Sequence, residues 1–205
     1  MIEVELKFEL SSESQFKLQE KLQSMQFNFK VHNLDVYYDT EKFELLQKAV
    51  FVRVRNKSQL QFKFNNKVDI AHVQSIERVI PLQNCQNFAE KMNNLFTSFL
   101  PSWFATSDFE TAIIKNGLIE LATIQNIREV YSKDDFYLSI DHVKELGDFV
   151  EVEIRCEEDS NTNEALDKVQ AFASEIAIKP IRIGYVEMWL SIHNPAAYRL
   201  SKYHL

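Results

Sequence analysis

The sequence has few of the residues that loosen a chain: three glycines and four prolines in 205 residues. That scarcity excludes long linkers and low-complexity tails. The glycines Gly117, Gly147 and Gly184 stand far apart, so no glycine-rich loop exists to cradle a phosphate in the P-loop or dinucleotide-binding manner. The two cysteines, Cys85 and Cys156, build neither a disulfide framework nor a zinc site, and a reducing cytoplasm is the expected location. No apolar run approaches the ~18 residues of a membrane span, and the opening Met1–Glu5 lacks the basic-then-apolar order of a secretory leader, so no membrane partner is expected. Positive charge is also short, with 23 Lys and Arg against 30 Asp and Glu and a net charge of −7. A nucleic-acid polymer demands a broad basic surface and is not an expected partner. Small anionic ligands stay open, because a metal ion can bridge an acidic protein and an acidic ligand.

The composition otherwise fits a soluble globular protein with a sizeable core, at 45% hydrophobic and 26% charged residues. Ile2 to Leu10 alternates strictly and reads as a strand. Ser11-Ser12-Glu13 caps a helix running to about Phe27, with Phe16, Leu18, Leu22 and Met25 on one face. Extended segments follow at Leu34–Tyr38, Val50–Arg55, Gln59–Phe64 and His72–Ile80, the last stopped by Pro81. Helices are expected over Asn84–Leu100, Asp108–Lys115, Asn163–Ile176 and from Tyr185 to Ile192. Three further strands lie at Leu118–Ser132, Asp135–His142 and Phe149–Cys156. Hairpin-like connections favour an antiparallel α+β arrangement over a parallel sheet. No repeat or internal boundary is visible, so residues 1–205 read as one domain.

The charges on the strands follow an unusual rule. Glu3, Glu5 and Lys7 share one side of the first strand, opposite Ile2, Val4, Leu6 and Phe8. Arg53 and Arg55 oppose Val52 and Val54; Gln61 and Lys63 oppose Leu60, Phe62 and Phe64; Glu151, Glu153 and Arg155 oppose Val150, Val152 and Ile154. Same-face neighbours stand only about 7 Å apart on a strand, so Glu3–Glu5, Arg53–Arg55 and Glu151–Glu153 each repel. One such strand is readily a solvated face. Recurrence with segregated signs suits a cavity in which acids hold a divalent cation and bases hold an anion. Carboxylate oxygens are the hard ligands that Mg²⁺ or Mn²⁺ prefers, and the arginine fork matches phosphate. Together they describe a site for a polyphosphate with bound metal. His32, His72, His142, His193 and His204 show no metal-ligand spacing, and Glu157-Glu158-Asp159 reads as a solvated strand end.

The opening Glu3-Val4-Glu5-Leu6-Lys7, followed by Tyr37-Tyr38-Asp39-Thr40, Phe51-Val52-Arg53-Val54-Arg55, Gln61-Phe62-Lys63, Asp141 and Gly147-Asp148-Phe149-Val150-Glu151-Val152-Glu153, resembles the CYTH family of triphosphate tunnel metalloenzymes. The resemblance implies an eight-stranded antiparallel β-barrel forming a tunnel with helices packed outside, acting on organic or inorganic triphosphates with Mg²⁺ or Mn²⁺. Tyr37 and the ending Trp189, Asn194-Pro195-Ala196-Ala197-Tyr198-Arg199-Leu200 are most similar to the thiamine triphosphatases of that family. By the resemblance, Glu3, Glu5, Glu77, Asp141, Glu151 and Glu153 are the metal-binding acids, with Glu5 the foremost ligand. Lys7, Arg53, Arg55, Lys63 and Arg128 grip the phosphates, and Phe51 stands where the thiamine enzymes have a ring-packing tryptophan. Arg182 or Lys179 is the nearest match to a late basic residue. Tyr37 matches the tyrosine that pairs with the first-strand lysine to activate water, and by parity Asp35, Tyr37 and Asp39 share one face.

The expected chemistry is in-line attack of water on the terminal phosphorus, driven by positioning and charge neutralisation. Lys7, desolvated among cations, is expected to give up its proton readily and serve with Tyr37 as general base. The alternatives are a class IV adenylate cyclase or an inorganic triphosphatase using the same tunnel, and a protein that holds a nucleotide or polyphosphate without turnover. A monomer is expected, with a dimer as the alternative.

Overall fold

The computed structural model describes residues 1–65, 74–157, 161–176 and 180–203. In chain order its elements are β1 (Ile2–Glu9), α1 (Ser12–Leu22), β2 (Gln26–Thr40), a 3-10 turn (Leu46–Lys48), β3 (Val50–Arg55), β4 (Gln59–Phe64) and β5 (Gln74–Pro81). They continue with α2 (Phe88–Phe99), α3 (Phe109–Asn116), β6 (Leu118–Lys133), β7 (Phe136–Val143), β8 (Gly147–Cys156), α4 (Asn163–Ile176), α5 (Tyr185–His193) and α6 (Pro195–Tyr198). All strand pairings are antiparallel, and the sheet closes into a barrel in the order β1-β5-β4-β3-β2-β6-β7-β8.

Closure explains the alternation. An antiparallel sheet usually gives one face to the core and one to water, but here both faces are covered. Val4, Leu6 and Phe8 of β1 and Val150, Val152 and Ile154 of β8 point outward, under Leu18 of α1 and Ala165, Val169, Ala173 and Ile176 of α4. Val50, Val52, Val54, Leu60 and Phe62 lie under Met92 and Phe96 of α2 and Phe109 and Ala112 of α3. The charged faces therefore turn into the barrel, where Glu3, Glu5, Lys7, Glu151 and Glu153 are each buried. A third apolar cluster joins Phe51, Ile124 and Phe149 to Val186 and Leu190 of α5 and Ala197 of α6.

Three expectations need correction. The first helix ends at Leu22 rather than near Phe27, and Phe16 is 66% exposed rather than inward. The following strand starts at Gln26, eight residues before the expected Leu34. That early half pairs with β6 but buries nothing, since Gln26 to Lys30 are all exposed, so it leaves no burial alternation to read. The helix expected from Asn84 begins at Phe88, because Asn84 and Asn87 take positive φ of 55° and 57°, which a helix interior does not allow. The strand expected over His72–Ile80 is β5, with residues 72 and 73 outside the described residues. Gly117, at φ +60°, ends α3 in the left-handed cap that Asn116-Gly117 foretells.

Candidate functional site

The barrel encloses a cavity of about 150 Å³. Glu3, Glu5, Lys7, Tyr37, Phe51, Arg53, Arg55, Lys63, Glu77, Arg128, Glu151 and Glu153 all line it, joined by Asp35, Asn126, Arg155 and the start of α5. The register delivers them: Glu5 faces Glu153 and Lys7 faces Glu151 across β1 and β8, Arg53 faces Tyr37 across β3 and β2, and Lys63 faces Glu77 across β4 and β5.

Two expected residues stand elsewhere. Arg182 is exposed and does not line the cavity, and Lys179 lies outside the described residues. Asp141 is fully buried behind the wall. Its Oδ1 accepts from Nε of Arg128 at 2.6 Å and Nδ2 of Asn126 at 3.0 Å, and its Oδ2 from Arg128 and from the Tyr185 hydroxyl at 2.7 Å. With four donors on its two oxygens, Asp141 orients Arg128 and Tyr185. Asp39 keeps the alternating burial of Asp35 and Tyr37 but does not line the cavity. Its carboxylate accepts from the backbone N–H groups of Thr40, Leu45 and Leu46.

The cations divide by partner. Arg55 binds Asp35 through two hydrogen bonds of 2.7 Å, and Arg53 reaches Asp35 at 3.3 Å, Glu77 at 3.2 Å and the Tyr37 hydroxyl at 3.1 Å. Burial raises the Asp35 and Glu77 carboxyls, but these guanidiniums and, at Glu77, the Lys63 ammonium outweigh it and hold both below the ordinary range. Glu151 bonds Arg128 and lies 3.1 Å from the Lys7 ammonium. There too burial is overcome, by Arg128 first and then Lys7, and the carboxyl is held low. Lys7 and Tyr37 thus have different partners: the ring beneath the Lys7 ammonium is Tyr185, at 3.9 Å, and the pair expected from the sequence is not joined.

The acids of β1 and the far end of β8 behave otherwise. Lys63 is their ammonium, 2.8 Å from Glu5 and 3.4 Å from Glu3. Burial pushes the Glu3 carboxyl up to about 8; Lys63 opposes, while Glu77, Glu153 and Glu5 add to the rise. Glu153 is also raised by burial and by Glu5, against its bond to Arg155. This corner holds more carboxylates than its cation can balance.

Tyr185 and Asn126 had no signal in the sequence, since neither sits in a period-2 run of charges. What brings Tyr185 inward is a backbone strap: Ile181 N–H donates to the Lys7 carbonyl at 2.7 Å, carrying Gly184 to Val186 onto the cavity wall.

The chain resembles known proteins over nearly its whole length. The CYTH domain profile matches residues 1–182. A Methanocaldococcus jannaschii protein provisionally named an adenylate cyclase is 25% identical over 193 residues, covering 92% of this chain and 98% of that protein. A Pyrococcus horikoshii structure superposes with a TM-score of 0.69 at 23% identity, covering 92% of this chain and 98% of its own. A Hippeastrum protein, described as an adenylyl cyclase candidate with a dominant triphosphatase activity, has a TM-score of 0.57 at 17% identity over 92% and 93% of the two chains. These two structures share the fold. With the profile covering most of the sequence, the chain belongs to the CYTH domain family.

Proposed function

We propose that residues 1–205 form one tunnel domain that hydrolyses the terminal phosphate of an organic triphosphate, with thiamine triphosphate the preferred substrate. The observation that carries this reading is one enclosed lumen holding guanidinium and ammonium groups beside a carboxylate cluster short of positive charge. The triphosphatase activity described for the Hippeastrum relative supports hydrolysis. Tyr37 and the C-terminal segment from Trp189 support the thiamine compound, whereas Phe51 departs from the thiamine enzymes' tryptophan and keeps only an aromatic face for a ring.

Glu3, Glu5 and Glu153 fit a Mg²⁺ or Mn²⁺ ion, because their oxygens are hard donors and the buried corner lacks counter-charge. Among the described residues no three such side chains are yet gathered as a ready ligand set, and Lys63 sits between Glu3 and Glu5. When bound, the ion supplies Lewis-acid withdrawal of charge from phosphate oxygens. The chain's own residues do the rest. Lys7, Arg53, Arg55, Lys63 and Arg128 exchange carboxylate partners for phosphate oxygens, a charge-assisted bond for a charge-assisted bond. The buried walls lower the local dielectric and strengthen each contact. The Tyr37 hydroxyl, held by Arg53, orients the attacking water, and Lys7 neutralises charge at phosphorus.

The test is purified protein with Mg²⁺ and thiamine triphosphate, inorganic triphosphate or ATP. Phosphate release should be fastest from thiamine triphosphate, and Lys7→Ala should lower kcat/KM by about 100-fold. Cyclic AMP with pyrophosphate from ATP would install the cyclase reading instead, and binding without any product would make the chain a binding protein.

A further inference from the structure

Lys63 stands in the carboxylate corner itself. Its ammonium lies 2.8 Å from an oxygen of Glu5 and 3.4 Å from one of Glu3, and it is the cation that both acids share. The strand order sets this up: Glu3 and Glu5 are on one side of β1, and Lys63 reaches them from β4 across the single intervening strand β5. The other lumen cations are held elsewhere. Lys7 pairs with Glu151, Arg128 with Asp141 and Glu151, and Arg53 and Arg55 with Asp35.

A divalent ion that takes oxygens from Glu3 and Glu5 needs the space this ammonium fills. Mg²⁺ binds carboxylate oxygens at about 2.1 Å, so the two cations would be pressed together, and like charges in a buried site repel strongly. They compete for the corner. Lys63 is able to yield. Its charge rides on a flexible four-carbon stem, and its side chain keeps 22% exposure where Glu5 keeps 9% and Glu3 11%, so the lumen is open beside it. Glu77 faces it directly across β4 and β5 and is paired with Arg53. An ammonium leaving β1 therefore turns toward a guanidinium that the proposed function sets on phosphate.

We propose that Lys63 is an exchangeable counter-cation: it balances Glu3 and Glu5 until a divalent ion takes their oxygens, and then turns its ammonium to phosphate. The inference rests on the ion site proposed above and deepens it. Because the displaced ammonium joins the phosphate grip, ion and phosphate each favour the binding of the other, and that coupling is reciprocal. One lysine thereby links the two walls of the lumen.

The experiment follows Mn²⁺ binding to the purified protein without substrate, by loss of the free-ion EPR signal. Lys63→Met should bind Mn²⁺ about tenfold more tightly than the wild type, since no charge-assisted bond has to break first. Lys63→Arg, whose fork holds both carboxylates, should bind it about tenfold more weakly, and this variant decides the matter if Lys63→Met does not fold. Arg55→Met removes the same charge from a partner outside the corner and should gain less than Lys63→Met. Equal affinities in the wild type and both Lys63 variants overturn the inference, and so does an equal gain in Arg55→Met, which marks a general field effect. Inorganic phosphate gives the second readout. It should tighten Mn²⁺ binding more in the wild type than in Lys63→Met, complexation in the buffer being common to both, and an equal effect overturns the hand-over to phosphate. If neither the wild type nor any variant binds Mn²⁺, the proposed ion site itself fails and the inference with it.

Discussion

Glu151 and Glu153 stand two residues apart on β8, face the same lumen and are almost equally buried, yet their carboxyls are driven in opposite directions. Burial raises both. At Glu151 it is overcome by Arg128 and Lys7, while at Glu153 the half-exposed Arg155 does not overcome it and Glu5 adds its own repulsion. The lumen is thus not uniformly acidic or basic. One wall, from Arg128 to Tyr185, is a network in which each charged group has its partner; the other, around Glu3, Glu5 and Glu153, is a set of acids waiting for charge. The difference is what separates a part that positions from a part that can receive an ion.

The largest effect should come from breaking the complete wall. Arg128→Met strands Asp141 and Glu151 as buried charges, and losing one partner of such a group costs about 3–5 kcal/mol. Arg155→Met, whose guanidinium side chain is 46% exposed, should cost under about 1 kcal/mol. Urea unfolding of both variants measures the contrast, and equal losses would erase the distinction between the walls. Next comes the open wall. A divalent ion at about 100 times its Kd should stabilise the protein by about 2.7 kcal/mol, read as a rise in Tm, and Glu5→Gln should remove most of that rise.

A smaller, pH-dependent effect should sharpen the same contrast. Glu3 binds its proton more tightly folded, at about 8, than unfolded, at about 4.5. Its contribution to stability is therefore whole below pH about 4.5 and is lost as pH rises through about 8, at up to about 1.4 kcal/mol per pH unit. Subtracting the Glu3→Gln profile from the wild-type profile isolates that loss from Glu151 and Asp35, whose lowered carboxyls act oppositely. Saturating Mg²⁺ should flatten the difference; a flat difference without metal would show that Glu3 is not short of counter-charge.

Much of this was readable beforehand, for a physical reason. Along the middle of β1, β3, β4 and β8 residues on both faces are buried or half-buried, so apolar and charged positions both carry information, and the lumen-facing set could be named strand by strand. Glu77 was readable by parity despite Arg78 beside it. Where burial lapses the pattern goes silent, as in Gln26 to Lys30 of β2. Asp141 shows a second limit: parity tells which way a residue faces but not that four donors already occupy its oxygens. Tyr185 shows a third, since a strap hydrogen-bonded to β1 through Ile181 placed it, and tertiary pairing of that kind leaves no periodicity.

That strap supplies the smallest contrast and the finest test of the complete wall. Ile183 is buried and Arg182, its neighbour, is exposed, so the chain turns the basic side chain away just before it turns Tyr185 inward. Arg182→Ala should shift stability by less than about 0.5 kcal/mol and leave kcat/KM within about twofold, as expected for a group outside the lumen. Tyr185→Phe keeps the ring beneath Lys7 but withdraws the hydroxyl from Asp141, which should cost about 1 kcal/mol and lower kcat/KM because Arg128 loses part of its brace. If Arg182→Ala were the more damaging of the two, the late basic residue would belong to the phosphate grip after all. The strap would then have to move to deliver it, and the network from Arg128 to Tyr185 would be a resting arrangement rather than the one that meets the substrate.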